Sequence, residues 1–132
     1  MDLIILACGL STRLSKYTYN ILPKYLINID NNTGLYHIIH YWDTYTNKIY
    51  LVIHSKFKVI TQFYIDHILP EYKNKIEIIE YNSSDGTAYT LYYLFHNQLK
   101  NKLENDLCIT WCDIFPKDPL VKIEERRVGK EC

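Results

Sequence analysis

Two cations stand where their spacing could serve a polyanion. Arg13 closes the run Leu6-Ala7-Cys8-Gly9-Leu10-Ser11-Thr12-Arg13-Leu14, and Lys24 follows Pro23 about ten residues later. An apolar run that opens into a Gly/Ser/Thr loop can turn successive backbone N–H groups toward an anion. Arg13 adds a planar fork of donors, and Lys24 returns a point charge on a proline-stiffened extended segment. Such a set of groups is suited to holding a polyphosphate.

These groups need a scaffold, and the hydrophobic pattern supplies one. Leu3–Ala7 shows no polar alternation, so this strand is expected to be buried on both faces of a sheet covered by helices. Thr33 can cap a helix whose inward face is Leu35, Ile38, Ile39 and Trp42. Lys48–His54 reads as a second strand. A helix with Phe57, Ile60, Tyr64 and Ile68 on one side follows it and ends before Pro70. Lys75–Tyr81 reads as a third strand. From Thr87 a helix is expected to turn Ala88, Leu91, Leu94, Phe95 and Leu99 inward, and Asp106–Trp111 reads as a fourth strand. This alternation predicts an α/β fold: three layers, Rossmann-like, with a mostly parallel sheet and helices on both faces. Ligands of such sheets bind at the carboxyl ends of the strands, the edge that would carry the Ser11–Arg13 loop, the Ser84–Gly86 loop and Asp113.

Composition removes other classes. The chain has 132 residues, enough for one domain, and its fifteen basic and fifteen acidic residues cancel. A neutral chain gives no electrostatic case for nucleic acid or an anionic membrane as partner. No apolar run approaches the ~20 residues that span a bilayer, and the N-terminal run is too short for a signal peptide, so the expected compartment is the cytoplasm. The four cysteines match no zinc spacing, and reduced, mostly buried thiols are expected. The five histidines share no motif and read as satisfied or solvent-facing. Asn82 and Asp85 read as loop formers that bond their own backbone. Residues 1–123 form the expected domain. Residues 124–132 break the apolar pattern and read as an artefactual tail.

In order and spacing, the chain resembles the nucleotide-binding half of the nucleotidyltransferases that activate sugar phosphates or phosphocholine-like alcohol phosphates. Their signature of an apolar strand, Ala-x-Gly-x-Gly/Ser-Ser/Thr-Arg-Leu/Phe and Pro-Lys-x-Leu is similar to Ala7-Cys8-Gly9-Leu10-Ser11-Thr12-Arg13-Leu14 and Pro23-Lys24-Tyr25-Leu26. Gly86-Thr87-Ala88 resembles the Gly-Thr-Ala beside the nucleobase, and Leu107–Asp113 resembles the strand that ends in a metal-binding aspartate. Ser11 departs from the more usual second glycine. The family's acceptor-binding half and second metal carboxylate have no counterpart here, so the chain is expected to be incomplete for catalysis.

The resemblance implies a GT-A-like nucleotidyltransferase fold and transfer of a nucleotidyl group from a nucleoside triphosphate to a phosphorylated sugar or alcohol, releasing pyrophosphate. Ala7, Gly9, Leu10, Ser11, Thr12, Arg13, Lys24, Gly86 and Thr87 would bind the nucleotide, with Arg13 and Lys24 catalytic and Asp113 holding Mg2+. The acceptor's phosphate is already anionic, so the chemistry calls for cations and N–H donors more than for a proton shuttle. A non-catalytic nucleotide-binding or regulatory module is the alternative. A dinucleotide-binding oxidoreductase is disfavoured, because the loop lacks the third glycine and His54, not an acid, ends the second strand. The sequence leaves the nucleobase, the acceptor and the oligomeric state open.

Overall fold

The computed structural model describes residues 1–11, 14–19, 21–82, 86–102 and 105–116. Thr12, Arg13, the 83–85 segment and the 124–132 tail lie outside the described residues. Six strands occur among those described: β1 (Asp2–Ala7), β2 (Asn28–Ile29), β3 (Asn32–Thr33), β4 (Lys48–Ile53), β5 (Ile76–Glu80) and β6 (Leu107–Trp111). The helices are α1 (Ser15–Thr18), α2 (Gly34–Trp42), α3 (Lys58–Ile68) and α4 (Thr87–Tyr93). The main sheet has the order β5-β4-β1-β6, and all its pairings are parallel. The β2–β3 pair forms a separate two-stranded antiparallel ribbon.

Every residue of β1 is buried, Asp2 together with the unbroken apolar run Leu3–Ala7. Its side chains alternate between two cores. Leu3, Ile5 and Ala7 pack with Leu35, Ile38, Ile39 and Trp42 of α2 and Ile65 of α3. Ile4 and Leu6 pack on the other face with Val52, Ile79, Leu94 and Leu99. Helices therefore cover both faces, which gives the three layers. Because β1 is central, with β4 on one side and β6 on the other, the strand order reverses at its carboxyl end. A crevice opens at such a switch point.

The helix α2 follows its pattern, and Thr33 Oγ1 accepts the Tyr36 N–H at 3.1 Å as the N-cap. Two other helices depart from expectation. In α3 the buried positions are Thr61 and Ile65, flanked by Phe57 and Leu69, whereas Ile68 is exposed. The buried Thr61 hydroxyl shares a 2.9 Å hydrogen bond with the Tyr25 hydroxyl, so a polar residue occupies the inward face without an orphaned group. In the last helix Ala88 is exposed while Thr90, Leu94 and Leu99 are buried. A π turn over Leu94–Gln98 lets Leu99 donate to the Leu94 carbonyl at 2.8 Å. The extra residue rotates the chain enough to keep Leu99 on the face of Leu94.

Candidate functional site

A cavity of about 410 Å3 opens at the carboxyl ends of all four parallel strands. Leu6, Ala7, Cys8, Gly9 and Leu10 line it from β1 and the loop beyond. His54 enters from the end of β4, Asn82 from beyond β5, and Gly86, Thr87 and Thr90 from the start of α4. Lys24, Trp111, Cys112 and Asp113 complete the wall. Seven of the ten site positions expected from the sequence thus share one cavity: Ala7, Gly9, Leu10, Lys24, Gly86, Thr87 and Asp113. Ser11 lies beside it, joined to Lys24. Thr12 and Arg13 fall outside the described residues.

The first loop and the Lys24 segment are stitched together. Ser11 has φ 57°, a left-handed conformation uncommon for a residue with a Cβ. Its Oγ accepts the Lys24 backbone N–H at 3.0 Å, and its carbonyl accepts the Leu14 N–H at 3.1 Å. These bonds hold the bend that a second glycine would make without strain. Gly9 shows the complementary feature. A Cβ built there would meet nothing within 4 Å, so its neighbours do not require glycine. The open space lies on the cavity, where backbone could approach a ligand closely.

Lys24 does not sit on extended backbone, as its proline suggests. Pro23 is extended, but Lys24–Leu26 forms a 3-10 turn, with the Leu26 N–H donating to the Pro23 carbonyl. The turn exists because the next residue is an anchor: Tyr25 is buried and reaches Thr61. Burial raises the Tyr25 phenol well above its ordinary range, so it remains a neutral hydrogen-bonding group. With Tyr25 pinned inward, Lys24 is directed to the rim. Its Nζ lies 3.2 Å from Asp113 Oδ2.

Asp113 stands in the turn after β6, where the Cys112 N–H donates to the Leu6 carbonyl and the Ile114 N–H to that of Trp111. This turn ties β6 to β1 at the point where the strands stop. Burial pushes the Cys112 thiol up to about 11, with Lys24 pulling the other way, and burial also raises the Cys8 thiol. Both are neutral lining groups near neutral pH. Across the cavity, Gly86 has φ 95° and ψ 169°, a conformation essentially restricted to glycine. Its carbonyl accepts both the Thr90 N–H and the Thr90 hydroxyl, which starts α4 at the cavity wall.

Sequence reasoning passed over His54, Asn82 and Trp111. Asn82 also reaches beyond its own loop: its Oδ1 accepts the Ser55 N–H at 2.8 Å, 27 residues away. That pairing depends on β4 and β5 being neighbours, which local composition does not announce. His54 bears the only signal that could have singled it out, a polar residue at the carboxyl end of an apolar strand. Among the described residues no group of three or more His, Cys, Asp or Glu could hold a metal ion. A lone accessible carboxylate does suit Mg2+, which takes one or two carboxylates and completes its shell with phosphate oxygens and water.

A parallel sheet in this order, with a cavity at its carboxyl edge lined by a glycine loop, a lysine and an aspartate, is the arrangement expected of a nucleotidyltransferase-type fold. The comparisons point the same way: the chain is similar in sequence to part of the bifunctional protein GlmU and in fold to a thymidylyltransferase and a pyrophosphorylase. It is 32% identical over 123 residues to the bifunctional protein GlmU of Methanococcus aeolicus, matching 93% of the chain and 27% of that protein. It is 34% identical over 122 residues to GlmU of Methanococcus vannielii, matching 91% of the chain and 26% of that protein. The chain thus spans about a quarter of the length of these curated relatives. No model of a protein family matches it.

Among solved structures, a glucose-1-phosphate thymidylyltransferase from Bacillus anthracis, in complex with sucrose, superposes with a TM-score of 0.78 at 18% identity. That match covers 98% of this chain and 50% of the other. A UDP-glucose pyrophosphorylase complexed with UDP-glucose gives a TM-score of 0.68 at 12% identity, covering 99% and 54%. At these identities the structures establish the fold.

Proposed function

We propose that the carboxyl-edge cavity binds a nucleoside triphosphate and belongs to an enzyme that transfers its nucleotidyl group to a phosphorylated sugar. The observation that carries this reading is the meeting of Lys24 and Asp113 on the rim beside the Gly9–Leu10 loop. In the reaction, a phosphate oxygen of the acceptor forms a bond to the α-phosphorus while the bond to the bridging oxygen of pyrophosphate breaks. The nucleophile is already anionic, so these residues are asked to bring two polyanions together. Backbone amides of the Gly9–Ser11 segment would face the β- and γ-phosphates. Lys24 would leave Asp113 for the α-phosphoryl group and the incoming phosphate, and Arg13 would bridge to leaving-group oxygens. Asp113 would hold Mg2+, which when bound offsets phosphate charge. Tyr25 and Ser11 keep Lys24 in place from behind. Free thiols at Cys8, Cys108 and Cys112 agree with a reducing compartment, the cytoplasm.

Calorimetric titration of the chain with nucleoside triphosphate and MgCl2 tests the reading. Binding that is lost in Lys24→Met and in Asp113→Asn is expected, and no binding at millimolar ligand contradicts it. A second reading, a binding module without turnover, is favoured by Asp113 being the single carboxylate among the described lining residues. It predicts triphosphate binding with no pyrophosphate release when glucose 1-phosphate is added.

A further inference from the structure

The cavity has two chemically different ends. At the β1–β6 end lie its described charges, Lys24 and Asp113. At the β4–β5 end lie two neutral polar side chains, His54 and Asn82. Adjacent strands are about 4.8 Å apart, so the ends of β6 and β5, three spacings apart, stand roughly 14 Å from each other. A triphosphate held at the charged end would direct its base toward His54 and Asn82.

The 3-10 turn Ser55–Phe57 fixes how these two side chains can bond. Its Ser55 N–H donates to Asn82 Oδ1 at 2.8 Å, and its Lys56 N–H donates to His54 Nδ1 at 3.1 Å. A backbone N–H can only donate, so both acceptor atoms are engaged and the neutral imidazole carries its proton on Nε2. What remains is the Asn82 amide NH2 and the His54 Nε2–H, neither with a partner among the described residues. The turn uses the single lone pair of His54 Nδ1 and one of the two on Asn82 Oδ1, so the pair is weighted toward donors.

We propose that His54 and Asn82 read the base and select a keto oxygen over an amino group; this deepens, and rests on, the triphosphate reading. Uracil and guanine carry a carbonyl at the position where cytosine and adenine carry an amine. A pair of donors bonds the carbonyl and opposes the amine, leaving its own N–H groups without acceptors.

Calorimetry with UTP, CTP, GTP and ATP, each with MgCl2, tests this, with inorganic tripolyphosphate as the base-free probe. Within the ring class that binds more tightly, the keto nucleotide is expected to bind at least about fivefold tighter than the amino one. Asn82→Asp keeps an oxygen for the Ser55 N–H but replaces the donor with an acceptor. It should abolish or reverse that ratio, whereas tripolyphosphate affinity should change by less than about threefold, a readout that also reports a folded site. Equal or tighter binding of the amino nucleotide overturns the inference while leaving triphosphate binding intact, as does an unchanged ratio in Asn82→Asp. Failure of all four nucleotides and of tripolyphosphate to bind overturns the underlying reading and this inference with it.

Discussion

Lys24 Nζ and Asp113 Oδ2 lie 3.2 Å apart although 89 residues separate them in the chain. The contact joins the 3-10 turn after Pro23 to the turn after β6, across the carboxyl end of β1. Both side chains are substantially solvent-exposed, 41% and 61%, and an ion pair so placed contributes little to folding. The pairing matters for the site more than for the fold. It keeps a cation and a carboxylate on one rim, each free to exchange its partner for a phosphate or a metal.

Lys24→Met should accordingly change stability by less than about 1 kcal/mol in chemical denaturation. Triphosphate affinity should fall at least about tenfold by calorimetry, because a charge-assisted contact is lost. A large loss of stability with unchanged affinity would contradict the assignment.

The Tyr25–Thr61 hydrogen bond is the buried counterpart of that exposed pair. Tyr25→Phe and Thr61→Val should each cost about 1–2 kcal/mol, because each leaves the other hydroxyl buried and unpaired. The double variant should cost clearly less than the sum of the two, a coupling read by a double-mutant cycle on denaturation midpoints. Strict additivity would show that the bond does not anchor the Lys24 turn.

The legible parts of the fold were those governed by one local rule. The unbroken apolar run of β1, the cap and 3.6-residue period of α2, and the strand–helix alternation all follow from short-range pattern. Thr61 and Thr90 were illegible because each is a polar residue on an inward face. Thr61 is satisfied by Tyr25, 36 residues away, and Thr90 by the Gly86 carbonyl. Leu94 and Leu99 do face inward as their pattern suggests, although five residues apart, because the π turn between them absorbs the residue by which that spacing departs from the helical period. For the expected site, motif order was enough to single out Ala7, Gly9, Leu10, Lys24, Gly86, Thr87 and Asp113, which line one cavity. His54 and Asn82 became visible only once β4 and β5 were neighbours and the Ser55–Phe57 turn had bonded to both.

Gly86→Ala should destabilise the chain by about 1–3 kcal/mol, measured by thermal or urea unfolding. The cost comes from the backbone alone, since a Cβ at this position would meet nothing within 4 Å. A neutral effect would mean that the segment before α4 relaxes without consequence.

Stability should also fall in alkali. The unfolded Cys112 thiol ionises near its ordinary value of 9.0, whereas burial holds the folded thiol neutral to about 11. The folded pKa is the higher of the two, so this contribution is complete below about pH 9 and is lost as pH rises toward 11. Cys112→Ala should flatten that part of the profile of urea midpoint against pH. An identical decline in the variant would assign it to other groups.

On the proposed function, the carboxyl edge of the parallel sheet receives a triphosphate. Amide chemical-shift mapping of 15N-labelled protein, titrated with nucleoside triphosphate and MgCl2, tests it most directly. Saturable shifts at Cys8–Ser11, Lys24, Gly86, Thr87 and Asp113 are predicted, with the amino-terminal ends of β4 and β5 unmoved. No shifts, or shifts confined to the opposite edge of the sheet, would contradict it.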